Sequence, residues 1–259
     1  MALFDVWCDL TETQEKRRRL WRLTEKKGAR EDIQEALAGT MRSHYDRLER
    51  IAQDVEQLGY SAAATILNSV LPQSIRARSG DLGEILATEI VEEKTDFSVP
   101  IRRLRYKDGR EMALRGDDII GVGFDGGNHL RLLKGESKSR KTLGKTTIAE
   151  ARAALNRHHG RCTPDSLLFV ANRLLEGSDA SEQKLGRLIR DEVGLRAVSS
   201  SRIDHMFFTV SGNGAPQALV DDWNATSTDR THYVVNLQID DHREFIDAMY
   251  NEVKQLGDD

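Results

Sequence analysis

The stretch GDDIIGVGFDGGNHLRLLKGESKSR, residues 116–140, reads as two strands joined by a tight turn. An apolar run from Asp118 to Phe124 is followed by the turn signal Asp125-Gly126-Gly127-Asn128. A second run then extends from Leu130 to Lys138. Side chains alternate faces along a strand, so Glu136 and Lys138 point the same way, about 6–7 Å apart along the backbone. Further acids lie upstream at Glu84, Asp117 and Asp118. Acids and a lysine on one face can hold a divalent cation and orient a water against a phosphate, which is the chemistry of a metal-dependent nuclease.

The turn leaves the pairing open. A two-residue turn at Gly126-Gly127 pairs residues whose numbers sum to 253 and sets Asp117 opposite Glu136. A bulge or a three-residue loop raises the sum to 254 and brings Asp118 there. Glycines at 123, 126 and 127 permit such an irregularity.

Outward from the hairpin, a helix is expected from Asp81 to about Glu93, after a loop RARSG at 76–80. VPIRRLRY (99–106) reads as a strand, Asp108-Gly109 as a hairpin turn, and 110–115 as a further strand. Behind the second strand, TTIAEARAALNRHH (146–159) reads as a helix, and SLLFVANRLL and SEQKLGRLIRDEV follow as helices. HMFFTVS (205–211) and HYVVNLQI (232–239) are strands, separated by a loop at 211–230. An amphipathic helix over 241–256 closes the chain. Residues 12–57 read as helical, with Ile33, Leu37, Met41, Tyr45, Leu48, Ile51 and Val55 at helical spacing and Gly59 as the stop; a shorter helix covers 61–70. The order predicts an α+β fold: a helical region over 1–78, then a core over 79–259 built on a mixed sheet flanked by helices.

Each acid also has a plain structural reading. Asp81 and Glu84 stand three apart at an expected helix start, as in a capping box. Asp117 and Asp118 suit a turn before a strand. Glu136 and Lys138 suit an exposed pair worth about 0–1 kcal/mol. Against these together stands the order: helix acid, strand-start acid, then E-x-K at a strand end with a helix behind it.

Composition narrows the class. The 259 residues are 39% hydrophobic and contain no run of about 18 apolar residues, so no membrane span is expected. The first twenty residues lack a secretory signal, and Cys8 and Cys162 have no metal-ligand spacing, which fits a reducing cytoplasm. Net charge is −4, yet residues 15–30 carry eight Lys or Arg against two Glu, and 134–145 carry five against Glu136. Such asymmetry suits a local phosphate-contacting surface, although 15–30 alone also suits a solvated helix face. Two stretches imitate nucleotide motifs. Gly121-x-Gly123-x-x-Gly126 lacks a following helix, and Gly144-Lys145-Thr146 has Ser139 where a phosphate loop needs glycine, so no nucleotide cofactor is expected. His158 and His159, being adjacent, diverge on a helix and make a poor chelating pair.

The acids in this order resemble the PD-(D/E)xK nuclease superfamily. The resemblance maps the family's helix glutamate to Glu84, its strand aspartate to Asp118, and its E-x-K to Glu136 and Lys138. Gly116-Asp117-Asp118 replaces the Pro-Asp dipeptide, which leaves the choice of aspartate open. GEILATEIVEE, GDDIIGVGFD and GESKSR, in this order behind a helical first half, are similar to the nuclease subunit of Hachiman antiphage defence systems. The resemblance implies DNA hydrolysis assisted by Mg²⁺, with Mn²⁺ as a substitute, held by Asp118, Glu136 and Glu84. Lys138 would position the attacking water, and Lys134, Arg140, Lys141 and Lys145 would hold the DNA backbone. It also implies a helicase partner that licenses cleavage. The alternative is a non-catalytic DNA-binding or scaffolding subunit.

Overall fold

The basic run EKRRRLWRLTE is extended, not helical, in the computed structural model, which describes residues 2–255. A short helix α1 (Leu3–Trp7) leads into β1 (Cys8–Glu15), and β2 (Arg18–Glu25) returns antiparallel beside it. Arginine and lysine favour helices, which is why the composition misleads. Pairing decides the outcome: β2 lies parallel to a distant strand, with Leu20 buried in the core of one sheet face and Trp21 and Leu23 in that of the other. Helical structure begins with α2 (Ala29–Tyr45), where Ile33, Leu37, Met41 and Tyr45 are buried as their spacing requires. The helices α3 (Leu48–Leu58) and α4 (Tyr60–Val70) follow.

The loop expected at 76–80 is the first part of α5 (Ile75–Lys94). Ser74 caps this helix, accepting from the Ala77 amide at 3.3 Å. Asp81 and Glu84 are therefore interior to the helix and cap nothing, which removes the capping-box reading. The boundary expected between 78 and 79 falls inside α5. Residues 99–115 form no strand. Ser98 makes one isolated bridge to Val122, and Arg103–Tyr106 is a 3₁₀ turn anchored by buried Arg103.

β3 (Ile119–Phe124) and β4 (Leu130–Arg140) are antiparallel, running from Ile119 opposite Gly135 to Phe124 opposite Leu130. This is the 254 register. The Asp125 amide donates to the His129 carbonyl at 3.0 Å and closes a three-residue loop. Asn128 takes the left-handed φ of 59° that such a loop requires, a conformation asparagine tolerates. At Gly121 a Cβ would lie 2.9 Å from the Leu133 Cβ and 3.3 Å from the Phe97 Cβ, so glycine there makes room for Phe97 across the hairpin.

After β4 come α6 (Lys145–Asn156), α7 (Pro164–Glu176), α8 (Ala180–Leu195) and β5 (Ile203–Ser211). The helix expected to reach 159 stops at Asn156, because His158 and His159 turn left-handed with φ of 55° and 59°. The loop expected at 211–230 carries α9 (Gln217–Ala225), held by buried Leu219 and Trp223. β6 (His232–Gln238) and α10 (His242–Lys254) follow; position 256, the expected end of the last helix, lies outside the described residues.

The six strands form one mixed sheet in the order β1-β2-β6-β5-β4-β3. The inner pairs are parallel and the two outer pairs antiparallel. Every residue of β5 is buried, as expected of a strand covered on both faces. On one face α1, α2, α5 and α10 pack over Leu133, Met206, Phe208 and Val235. On the other, α6 and α9 cover Phe207 and Val234, while α7 and α8 cover Ile120, Val122, Leu132 and Ile203. The fold is α+β, a mixed six-stranded sheet flanked by helices.

Candidate active site

Where β3 begins, β4 runs on past it. Continuing the ladder one step beyond Ile119–Gly135 places Asp118 opposite Glu136. The Asp118 carboxylate accepts from the Ser137 amide at 2.9 Å and so satisfies a backbone donor that β3 no longer reaches. Glu136 is buried on β4, and the Lys138 ammonium donates to its carboxylate and to the Ser137 carbonyl, the latter at 3.2 Å.

Glu84 is brought in by α5. A Cβ on Gly83 would lie 2.8 Å from the Ser137 Oγ and 3.3 Å from the Ser139 Cβ, so glycine lets the helix lie close against β4. The Ser79 hydroxyl donates to the Ser139 Oγ at 2.9 Å one turn earlier and fixes the approach. Half-buried Glu84 then stands within electrostatic reach of Asp118.

The three acids disturb one another. Burial, and then Asp118, push the Glu136 carboxyl up to about 7 against the opposing pull of Lys138 and Arg157. Burial raises Asp118 too, partly offset by Lys138, the Ser137 amide and Arg103. Glu84 is held well above the ordinary carboxylate range by burial and by Asp118. Among the described residues no three His, Cys, Asp or Glu side chains converge tightly enough to hold a metal ion as they stand. Carboxylate oxygens are the donors that a hard cation takes, and Asp118 and Glu136 stand opposite each other where β3 begins.

Asp117 has a different environment. It is buried; its carboxylate accepts from the Thr163 amide at 2.6 Å and the Thr163 hydroxyl at 2.8 Å. Its amide donates to the Ser166 hydroxyl at 2.9 Å, so Asp117 ties the start of β3 to the start of α7. Lys134 corrects an expectation. It is 1% exposed, its ammonium donates to the Arg157 and Arg161 carbonyls at 3.1 and 3.0 Å, and Asp117 lies 3.5 Å away. An ammonium buried and spent in this way does not face a DNA backbone. Arg140, Lys141 and Lys145 are exposed, the first two at the end of β4 and the third at the start of α6.

Arg103 escaped the sequence reading. Buried, it donates to the Asp117 carbonyl and, at 2.7 Å, to the Arg115 carbonyl, pinning the segment that delivers Asp118. Lys107 grips Asp81 at 2.8 and 2.9 Å one turn before Glu84, and the Tyr45 hydroxyl donates to Asp81 at 2.9 Å. Both cations sit in irregular backbone, where no periodicity marks them. Cys8 and Cys162 are free and buried. Among the described residues no helix is long and apolar enough to cross a membrane.

The sequence model of the HamA family matches residues 1–253. The chain is 26% identical over 182 residues to the Hachiman protein HamA of Bacillus cereus. The match takes in 70% of this chain and spans 63% of the length of that relative.

Proposed function

The chain belongs to the HamA family, and from that premise we propose that it is the nuclease subunit of a Hachiman antiphage defence system, cleaving DNA under the control of a helicase partner. The observation that carries the reading is the strand geometry: Asp118 opposite Glu136, with Lys138 on the same face of β4. On this reading β3, β4, α5 and α6 form the centre of a PD-(D/E)xK core.

Glu84, Asp118 and Glu136 would hold Mg²⁺, or Mn²⁺ in its place, and the bound ion supplies polarisation of the phosphate and a lowered pKa for a water. Lys138, freed from Glu136, would place its ammonium beside the attacking water and against the charge developing on the phosphate. Asp118 keeps its bond to the Ser137 amide and so holds its second oxygen in a set direction. The Asp117 carboxylate is taken up by Thr163 and Lys134, which favours Asp118 as the ligand. Arg140, Lys141 and Lys145 would neutralise backbone phosphates without reading bases. Buried acids that repel one another are poor scaffolding, and this favours catalysis over a purely structural subunit.

A partner is supported by the α3–α4 hairpin, which leaves Leu48, Leu58, Tyr60, Ile66 and Val70 exposed. The apolar face of α10 is packed into the core, with Phe245, Ile246, Met249, Tyr250 and Val253 buried. The test is plasmid incubated with Mg²⁺ and the chain, alone and co-purified with the helicase encoded beside it. Nicking that needs both the helicase and the ion is expected. Intact plasmid under every condition would leave a scaffolding role instead.

A further inference from the structure

We propose that a second cavity, between the start of α5, the end of β4 and the start of α10, binds the phosphate of a nucleotide. The cavity measures about 500 Å³, within the range of small-molecule sites. Four cations line it, Arg76, Arg140, Lys141 and Arg243, and no carboxylate does. Among the described residues none of the four is in an ion pair, although the chain pairs Arg30, Arg131, Arg152 and Arg161 with acids elsewhere. Uncompensated like charges gathered around one hollow repel, and an anion relieves them.

One further feature of the hollow points the same way. Its back wall holds His242, only 4% exposed, whose Nε2 meets the Ser139 Oγ at 2.9 Å. Burial and the neighbouring Arg140 hold this imidazole below its ordinary pKa. Ile75 and Ile246 give the cavity an apolar floor, which suits a sugar or base beside the phosphate and is unneeded for a bare ion.

The site borders the proposed DNA-contacting surface and shares Arg140 and Lys141 with it, while Ser139 points toward α5 and Glu136 and Lys138 point to the other face of β4. It is distinct from the Gly144-Lys145-Thr146 stretch at the start of α6. The ligand chemistry is a nucleotide phosphate monoester, supplied either free or by the 5′ end of a DNA strand. The inference does not depend on cleavage.

Calorimetry on the full chain tests it with three probes: deoxyadenosine monophosphate, a short single-stranded oligonucleotide carrying a 5′-phosphate, and the same oligonucleotide ending in a hydroxyl. The phosphorylated strand or the mononucleotide should bind at least tenfold more tightly than the hydroxyl strand. Tight binding of the mononucleotide identifies a free nucleotide as the source, and binding of the phosphorylated strand alone identifies a strand end. Both Arg76 and Arg243 are exposed, so Arg76→Glu with Arg243→Glu should fold and lose at least tenfold. Equal affinity for the two strands with no binding of the mononucleotide would overturn the proposal. So would unchanged affinity in a folded charge-reversal variant. The strand comparison uses the unaltered protein and decides the matter even if that variant fails to fold.

Discussion

Glu136 carries a proton at a pH where most glutamates do not. Its carboxyl rises from an ordinary 4.5 to about 7 through burial and the proximity of Asp118. A folded-state value above the unfolded one means the folded protein binds the proton more tightly. That contribution to stability is complete below pH 4.5 and is lost as the pH rises through 7. In metal-free buffer the melting temperature should therefore fall across this window, and Glu136→Gln should melt higher than wild type at pH 8. Each tenfold change in proton affinity is worth about 1.4 kcal/mol, or about 3–6 °C for a chain of this size. Scanning calorimetry from pH 5 to 8 with a chelator present measures this, and identical pH profiles for the two proteins would refute the raised carboxyl. At this scale Glu136 and Lys138 were legible as a same-face pair from spacing alone. The separate roles of Asp117 and Asp118 were not, because they depend on Thr163 and Ser166 arriving from α7. Lys134 was misread for a related reason: the carbonyls that bury its ammonium belong to Arg157 and Arg161.

Among the elements, α5 and β4 set the site through their close contact. Gly83→Val adds a branched side chain where the Ser137 Oγ stands 2.8 Å from a Cβ and the Ser139 Cβ 3.3 Å. Overpacking of this kind costs about 1–3 kcal/mol. Because Glu84 adjoins the displaced residue, cleavage should fall more steeply than stability does. Urea melts and plasmid assays on the same preparation compare the two, and a variant as stable and as active as wild type would show that α5 does not need to lie so close. The β3–β4 hairpin was readable because its period, glycines and turn residues agree. Residues 8–25 were not, since strand β2 owes its place to β6, more than two hundred positions later, and local propensity points the other way. Residues 99–115 failed similarly: a β-rich stretch with no free partner strand settles into turns around Arg103.

The whole molecule shares one sheet between its ends. Trp21, Leu37 and Met41 from the first part lie in the same core as Phe208, Val235 and Phe245 from the last. Removing residues 1–78 strips β2 from β6 and cuts into α5, exposing an unpaired strand edge and apolar surface. The remaining 79–259 fragment should be insoluble or lack a cooperative melt. A soluble fragment with a sharp transition would show that residues 79–259 stand alone. The α+β class was visible from the order of elements, whereas the sharing of the sheet depended on parallel pairing that spans the chain.

Asp118, just before β3, and Glu136 on β4 are proposed as metal-holding catalytic groups. Plasmid cleavage by the protein together with its proposed helicase partner, with Asp118→Asn and Asp117→Asn compared at equal concentration, tests this most directly. Asp118→Asn should keep its fold and lose cleavage by about 100-fold or more, with the Mg²⁺-dependent rise in melting temperature gone. Asp117→Asn should lower stability by weakening the hold on Thr163 and Lys134, and its folded fraction should still respond to Mg²⁺. A folded Asp118→Asn protein that cuts plasmid at the wild-type rate would contradict the account.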